Sequence, residues 1–441
     1  GADAPEIASL RWLATDRVAL ELGESWQDPW AGDDDVAMLQ YTSGSTSTPK
    51  GVVITHRNLL HNEMLIRAVA GHAEQTIGVG WLPPYHDMGL IGMLLQPLYL
   101  GATCIFMPPL AFLRRPLVWL KAISKYKGTT SPAPNFAFDL CARKVKPEDL
   151  ASLDLSSWTV AFNGAEPVRK DTIERFHRTF ASCGLPPTTI SPCYGLAEAT
   201  LIVTGVHRGS APTYASFDAA ALAAGRVVPC AADAPGSVTL VSSGRPLGDM
   251  RVVIVDPQTS AAVEQGAVGE IWISGTSVAK GYFGREEETE ATFGARLANG
   301  TGPFLRSGDL GFIFEGGLFV VGRIKDLIVI RGRNIYPQDV ERTLERASAA
   351  IRPGCVAAFS VDVDGEERLV VAAEVDVAKE PLAAVRQKLI GAVASEQDVQ
   401  LHDVALLAPG TIPKTTSGKI QRRATRAAYL ARELSHLESS G

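Results

Sequence analysis

The chain has 441 residues, 46% of them hydrophobic and 20% charged, with a formal net charge of −6. That length is expected to divide into two or more domains, and the acidic balance argues against nucleic-acid binding. The six cysteines, at positions 104, 141, 183, 193, 230 and 355, have no C-x-x-C spacing, so neither a disulfide framework nor a zinc site is expected and a reducing cytoplasm is the expected compartment.

Residues 1–35 read as a polar lead-in, acidic at position 3 and without an early apolar core, so no signal peptide is expected there. Residues 36–41 (VAMLQY) suit a buried strand. A loop rich in glycine and hydroxyls follows, closing on Lys50-Gly51. Next come a short apolar run and a helix that Thr55 can cap, with Leu59, Leu60, Met64, Leu65 and Ala68 at helical spacing. Glycine lets a backbone approach a ligand, hydroxyls and N–H groups donate to phosphate oxygens, and Lys50 adds a charge. A Ser/Gly linker is the plain alternative, but a linker would not sit between a buried strand and an amphipathic helix. The spacing is not that of a Walker A loop, and no G-x-G-x-x-G fingerprint, nucleophile elbow or H-E-x-x-H helix occurs.

Residues 81–84 (WLPP) look like a strand end leading to a tip with Tyr85, His86 and Asp87. Residues 88–113 run for 26 positions without a charge, long enough to span a bilayer. Gln96, Pro97, Gly101, Pro108 and Pro109 interrupt them, so they are expected to form a buried helix (88–95), a turn and a buried strand (102–107). Residues 114–128 suit an amphipathic helix. Residues 129–145 start as a strand and turn at Pro132 and Pro134; Phe136, Phe138 and Leu140 either face an apolar ligand or simply pack. Residues 158–168 form a strand ending in Asn-Gly-Ala-Glu, a small-residue turn of the kind found where open α/β sheets bind ligands. Residues 170–180 suit a crossover helix and 188–203 the next strand and loop. Residues 205–243 do not fit a simple α/β rhythm. Residues 252–255 and 269–274 alternate like strands. Residues 301–323 read as strand, Gly-Asp-Leu-Gly turn, strand, Glu-Gly-Gly turn, strand. Beyond a boundary at 324–325, strand and helix patterns occupy 327–330, 337–347, 356–359, 369–375 and 381–393. Asp362, Asp364, Glu366 and Glu367 read as solvated turn charges. Lys419 sits on a Ser-Gly turn ahead of a basic helix, a position usually taken by an exposed salt-bridge former.

Six ordered motifs carry a resemblance: the loop within 41–60, NGAEPV at 163–168, YGLAEAT at 194–200, SGDLG at 307–311, GRIKDLIVIRGRNIYP at 322–337 and PKTTSGKIQR at 413–422. Together they resemble the adenylate-forming superfamily. Residues 81–102 and 330–341 are most similar to its fatty acyl-AMP ligases. The resemblance implies an α/β adenylate-forming fold. Its large N-terminal domain (1–323) combines α/β sheets with a small distorted β-barrel, and a small, mobile α+β C-terminal domain (324–441) follows a hinge at Lys325. The family's N-terminal domain is longer ahead of the phosphate loop, so this chain is expected to be N-terminally truncated. The 205–243 segment matches an insertion thought to keep the C-terminal domain from its CoA-thioesterifying pose; a decorative surface loop is the alternative.

The implied activity joins a medium- or long-chain fatty acid to ATP, giving acyl adenylate and pyrophosphate. The acyl group then passes to the phosphopantetheine of a holo-acyl carrier protein serving polyketide, nonribosomal-peptide or lipid synthesis. By the same resemblance, Thr42, Ser43, Gly44, Ser45, Thr46 and Lys50 hold the β- and γ-phosphates. Asn163, Gly164, Ala165 and Glu166 surround adenine with Tyr194, Gly195, Leu196 and Ala197. Asp309 and Arg323 hold the ribose, and Glu198 with Thr42 holds magnesium, although Glu198 also reads as an acid at a helix N-terminus. His86 lines the acyl path, or is a satisfied structural histidine. Lys419 is the catalytic bridge between substrate carboxylate and α-phosphate. The chemistry suits such a set: two like charges 4 Å apart repel by about 1 kcal/mol in water and about 4 at an effective dielectric of 20, so neutralisation and alignment dominate. The rival readings are a long-chain acyl-CoA ligase and a catalytically silent docking domain. An amino-acid-selecting domain lacks an identifiable acidic group for the ammonium.

Overall fold

In the computed structural model, residues 10–14, 17–42, 49–330, 333–364, 366–397, 399–415 and 418–437 are described. Ser43, Gly44, Ser45 and Thr46 of the expected phosphate loop lie outside them. Residues 17–35 are exposed and carry a short 3-10 turn at Leu20–Ser25.

The loop joins two antiparallel strands, β1 (Val36–Thr42) and β2 (Lys50–Thr55), with Thr42 opposite Lys50. Only Gln40 of β1 is buried, so the apolar run is a half-covered strand rather than an interior one. Helix α1 (His56–Ala70) follows, capped by Thr55: its hydroxyl accepts from the Asn58 N–H while the Asn58 side chain accepts from the Thr55 N–H.

Strand β3 (Ile77–Gly80) pairs in parallel with β4 (Thr103–Phe106). Between them the expected helix is longer than its 88–95 range. It runs through α2 (Asp87–Leu90), a π segment (Ile91–Leu95) and α3 (Gln96–Leu100), and the chain reverses at Gly101, φ +65°. Pro97 sits where the π segment passes into α3 and does not break the helix. Among the described residues no helix is long and apolar enough to cross a membrane. The expected helix at 114–128 is α5 (Leu117–Tyr126), and a short helix that was not expected, α4 (Pro109–Arg114), precedes it.

The central sheet has the order β11-β8-β7-β6-β5. Here β5 is Ala133–Pro134, β6 Ala161–Gly164, β7 Ile190–Gly195, β8 Ile202–Gly205 and β11 Arg245–Pro246. Strands β5, β6 and β7 are parallel, and β8 runs against β7. Helices α6 (Asn135–Lys144) and α7 (Lys170–Phe180) pack against it. Phe138 is fully buried, with Trp119 and Phe176 edge-on to it and Trp158 stacked, so of the three residues left open it is core.

The 205–243 segment folds as β9 (Tyr214–Asp218), α8 (Ala219–Ala223) and β10 (Ser237–Val241), a hairpin with a one-turn helix. A four-stranded antiparallel sheet follows: β12 (Arg251–Val255), β13 (Gly269–Ser274), β14 (Leu305–Phe314) and β15 (Gly317–Arg323). The Gly-Asp-Leu-Gly motif is not a turn. It lies inside β14, where Gly308 at φ +71° and a register shift after Leu310 bend the strand without ending it. Phe217 of the hairpin packs edge-on against Phe312 and Phe319 of this sheet, in a cluster that also buries Tyr336.

Beyond a 3-10 turn at Ile324–Asp326, residues 328–437 build cores of their own. A small hairpin, β16 (Ile328–Ile330) with β17 (Arg333–Ile335), leads to α9 (Pro337–Ala347). A three-stranded sheet of β18 (Ile351–Val363), β19 (Glu366–Val375) and β20 (Leu401–Leu407) follows, with α10 (Leu382–Gln397) crossing between β19 and β20. Helix α11 (Arg422–Leu430) closes the unit.

Candidate active site

The carboxyl ends of β6 and β7 form one wall. Beyond β6, Ala165 adopts φ +64°, a left-handed conformation that costs a non-glycine residue energy and often marks a ligand site. It turns Glu166 inward, where Oε1 accepts from the Phe136 N–H at 2.5 Å. Burial raises the Glu166 pKa against the pull of that N–H, Lys419 and Arg169. Asn163 and Gly164 were expected at the ligand, but they stand behind the wall. Asn163 is fully buried, its amide reaching Asn135 at 3.5 Å and its Oδ1 without a partner. After β7, Gly195 must be glycine: a Cβ there would lie 1.7 Å from the Leu201 carbonyl oxygen.

The opposite wall is β14 and β15. Asp309 and Arg323 are register partners, so their side chains meet by sheet geometry. Arg323 Nε donates to Asp309 Oδ1 at 3.0 Å, and the Tyr194 hydroxyl donates to Asp309 Oδ2 at 2.8 Å. Burial and Asp309 together hold the Tyr194 phenol well above its usual pKa, so it stays a donor. A carboxylate has about four acceptor sites, and two remain for ligand hydroxyls.

Lys50 is not free in this state. Its ammonium pairs with Glu288 of the helix Glu286–Phe293 and sits 4.7 Å from the Tyr282 ring centroid. The Tyr282 hydroxyl in turn donates to Glu198 Oε1 at 2.9 Å. Glu198 lies in a 3-10 turn, Ala197–Ala199, rather than at the start of an α-helix. Burial raises its pKa, and the Asp87 charge adds to that. Among the described residues no three His, Cys, Asp or Glu side chains gather as a metal cluster. Glu198, with the Asp87 charge acting on it, still suits a hard divalent cation that takes its other ligands from phosphates.

His86 caps α2 and pairs through Nδ1 with Asp87 Oδ1 at 2.6 Å. Burial alone would raise the Asp87 pKa; His86 and Lys419 outweigh it and hold it below the ordinary value. Lys419 comes from the last unit. A tight turn holds it: its N–H donates to Thr415 Oγ1 at 3.0 Å, and its carbonyl accepts from the Thr415 N–H at 2.8 Å. Gly418, at φ +88°, faces Phe136 closely enough that an added Cβ would lie 3.1 Å from its ring. Burial lowers the Lys419 pKa, with Asp87, Glu166 and Asp309 opposing the effect and Arg323 reinforcing it.

One continuous cavity of about 3180 Å³ joins these groups: Thr42, Lys50, His86, Ala165, Glu166, Tyr194, Gly195, Leu196, Ala197, Glu198, Asp309, Arg323, Lys325 and Lys419 all border it. Sequence reasoning missed Asp87 as a site group, although it stands beside His86. It also missed the Tyr282–Glu288 support behind Lys50, which sequence distance conceals. Two ion pairs between α7 and α9 were invisible as well: Arg169–Glu345 at 3.1 Å and Asp171–Arg342 at 3.1 Å.

A cavity with a carboxylate fork on strands, a strained small-residue turn and an incoming lysine defines a nucleotide-binding enzyme of two units. The family model described as AMP-binding enzyme matches residues 4–283, and the model of the Disco-interacting protein 2-like AMP domain matches residues 325–439. The chain is 45% identical to the medium-chain-fatty-acid–[acyl-carrier-protein] ligase JamA of Moorena producens, the match covering 98% of this chain and 74% of JamA. It is 41% identical to the long-chain-fatty-acid–AMP ligase FadD32 of Mycolicibacterium smegmatis, over 95% of this chain and 73% of FadD32. The Legionella pneumophila fatty acyl-adenylate ligase, solved with acyl adenylate and pyrophosphate, superposes with a TM-score of 0.71 at 42% identity, over 95% of this chain and 74% of that one. The chain belongs to the AMP-binding, adenylate-forming enzymes, in their fatty acyl-AMP ligase branch.

Proposed function

We propose that the chain activates a medium- or long-chain fatty acid with ATP and passes the acyl group from acyl-AMP to the phosphopantetheine thiol of an acyl carrier protein. One observation carries the reading: Lys419, from the last unit, borders the same cavity as Asp309, Arg323 and Glu198 of the first. The fatty carboxylate oxygen attacks the α-phosphorus, and the bond from that phosphorus to the oxygen bridging the β-phosphate breaks, releasing pyrophosphate. Lys419 lies between the two anions and lowers their repulsion. Phosphate binding would raise the lysine pKa that burial depresses, because an anion favours the charged form. Asp309 orients the ribose, with Tyr194 and Arg323 fixing the carboxylate. Lys50, released from Glu288, is aimed at the leaving phosphates. Glu198, with Asp87 near it and Thr42 on the same cavity, would hold magnesium, which supplies charge neutralisation on the phosphates. Lys325, exposed on its 3-10 turn, is the hinge between the units. The 205–243 hairpin favours the carrier-protein acceptor over CoA, because its Phe217 shares a core with Tyr336 and restrains the strand leading into the last unit.

The test is mass spectrometry of products from ATP, magnesium and dodecanoic acid, with CoA or a phosphopantetheinylated carrier protein added. Acyl-AMP that accumulates with CoA but is consumed by the carrier protein supports the reading. Rapid acyl-CoA formation sinks the acceptor assignment, and no adenylate sinks the reaction.

A further inference from the structure

Lys50 opens β2, and main-chain pairing fixes what faces it. The Phe283 N–H donates to the Gly51 carbonyl at 2.8 Å, the Val53 N–H to the Gly281 carbonyl at 2.9 Å and the Lys280 N–H to the Val53 carbonyl at 3.1 Å. The strand therefore holds the 280–283 segment in register, and the helix Glu286–Phe293 follows directly. Thr289 ties the two together, its Oγ1 accepting from the Tyr282 N–H at 2.9 Å. On the first turn of that helix Glu288 stands between two cations. Its Oε2 pairs with the Lys50 ammonium, and its Oε1 accepts from Arg285 Nη1 at 2.7 Å. Among the described residues that border the cavity are Lys50 and Tyr282, and Glu288 is not one of them. The carboxylate is an anion supplied by the fold itself, and it holds the lysine from outside the cavity lining.

We propose that Glu288 is a positioning residue that acts through Lys50: it occupies the ammonium while the site is empty and competes for it with the phosphates of ATP and pyrophosphate, loosening both. This rests on the reading above, that Lys50 is aimed at the leaving phosphates. A lysine carries a compact charge on a flexible four-carbon stem, so the ammonium changes partners by side-chain rotation while the backbone stays paired. The two side chains are 22% and 37% exposed, and an ion pair that wet is weak enough for a polyanion to displace. Glu288 is not stranded when the lysine leaves, because Arg285 still holds its other oxygen. Tyr282 keeps the exchange local: its ring centroid lies 4.7 Å from the ammonium, and its hydroxyl is fixed on Glu198. A group available for only part of the time lowers apparent affinity by that fraction, for the triphosphate that enters and the pyrophosphate that leaves alike.

The experiment measures the KM for ATP and the inhibition constant of pyrophosphate in adenylation of dodecanoic acid. It uses wild type, Glu288→Gln, Lys50→Ala and the double variant, with Glu288→Ala as a second removal of the charge and thermal melting to confirm that each folds. Glu288→Gln should lower both constants by about threefold, the effect expected of a partly exposed pair, and single-turnover acyl-AMP formation at saturating ATP should move less than either. Lys50→Ala should raise both constants, and adding Glu288→Gln to it should change them no further, because the effect runs through the lysine. Constants that rise or stay put when the Glu288 charge is removed overturn the proposal, since the glutamate then supports the lysine or has no hold on it. An equal drop with and without Lys50 also overturns it and marks a general charge effect. If Lys50→Ala leaves both constants unmoved, the phosphate role of Lys50 itself fails and takes this inference with it.

Discussion

The wall that carries Asp309 and the turn that carries Lys419 achieve positioning by opposite means. Asp309 is held on three sides: cross-strand register places Arg323 beside it, Tyr194 reaches it from the neighbouring sheet, and its own N–H donates to Ser307 Oγ. Among the described residues the hydrogen bonds that hold Lys419 are made by its backbone to Thr415, and its ammonium answers to the charges around it. A strand fixes geometry before substrate arrives. A turn delivers a charge that geometry alone does not fix. The difference predicts that damage to the lysine appears in the chemical step, whereas damage to the carboxylate appears in nucleotide affinity and in stability together.

Lys419→Ala should therefore cut adenylate formation by roughly three orders of magnitude or more, as loss of a transition-state charge partner does, with the melting temperature unchanged. Single-turnover acyl-AMP formation checks this, and a variant within a few fold of wild type would break the contrast. Asp309→Ala should raise the KM for ATP by about a hundredfold. It should also lower stability by roughly 1–3 kcal/mol, because it leaves the Tyr194 hydroxyl buried and unpaired. Urea unfolding beside ATP titration separates the two effects. A purely catalytic loss would mean the fork is not structural.

The α7–α9 ion pairs lie between these extremes, because they hold the unit that carries Lys419. Arg169→Glu should slow adenylation by about tenfold, and pairing it with Glu345→Arg should restore most of the rate. Rescue measured on adenylation, with thermal stability followed in parallel, distinguishes positioning from simple unfolding. Equal loss in the single and double variants would show that the pair does not set the lysine.

Much of this was legible in the chain. Six motifs in order named the fold and most of the wall, because each is local: a strand end, a turn, a loop. What stayed hidden was pairing across long separations. Nothing in sequence says that Glu288 pairs with Lys50, or that Tyr282 supports Glu198. The Gly-Asp-Leu-Gly stretch read as a turn because glycine and aspartate favour turns. Its strand character comes from pairing with β13 and β15, a tertiary effect that overrides local preference. The 88–113 run misled about length for a related reason: Pro97 looks like a breaker unless the π segment ahead of it is known.

The smallest expected effect on activity comes from the buried residues Glu63 and His72, and it is read in stability against pH. Glu63 has a folded pKa of about 9 against an ordinary 4.5, so between those values the native state keeps a proton that the unfolded chain has released. The native state binds more protons there, and stability falls as pH rises through the window. His72 runs the other way. With a folded pKa of about 4 against 6.5, its contribution is complete above pH 6.5 and is lost as pH falls toward 4. Glu63→Gln should flatten the fall of a urea-midpoint profile between about pH 6.5 and 9. His72→Phe should flatten only the acid limb. Because the two limbs oppose each other between pH 4.5 and 6.5, the wild-type profile should be shallow there, and Glu63→Gln should steepen its rise. An unchanged profile in Glu63→Gln would mean the carboxyl is ionised in the folded protein.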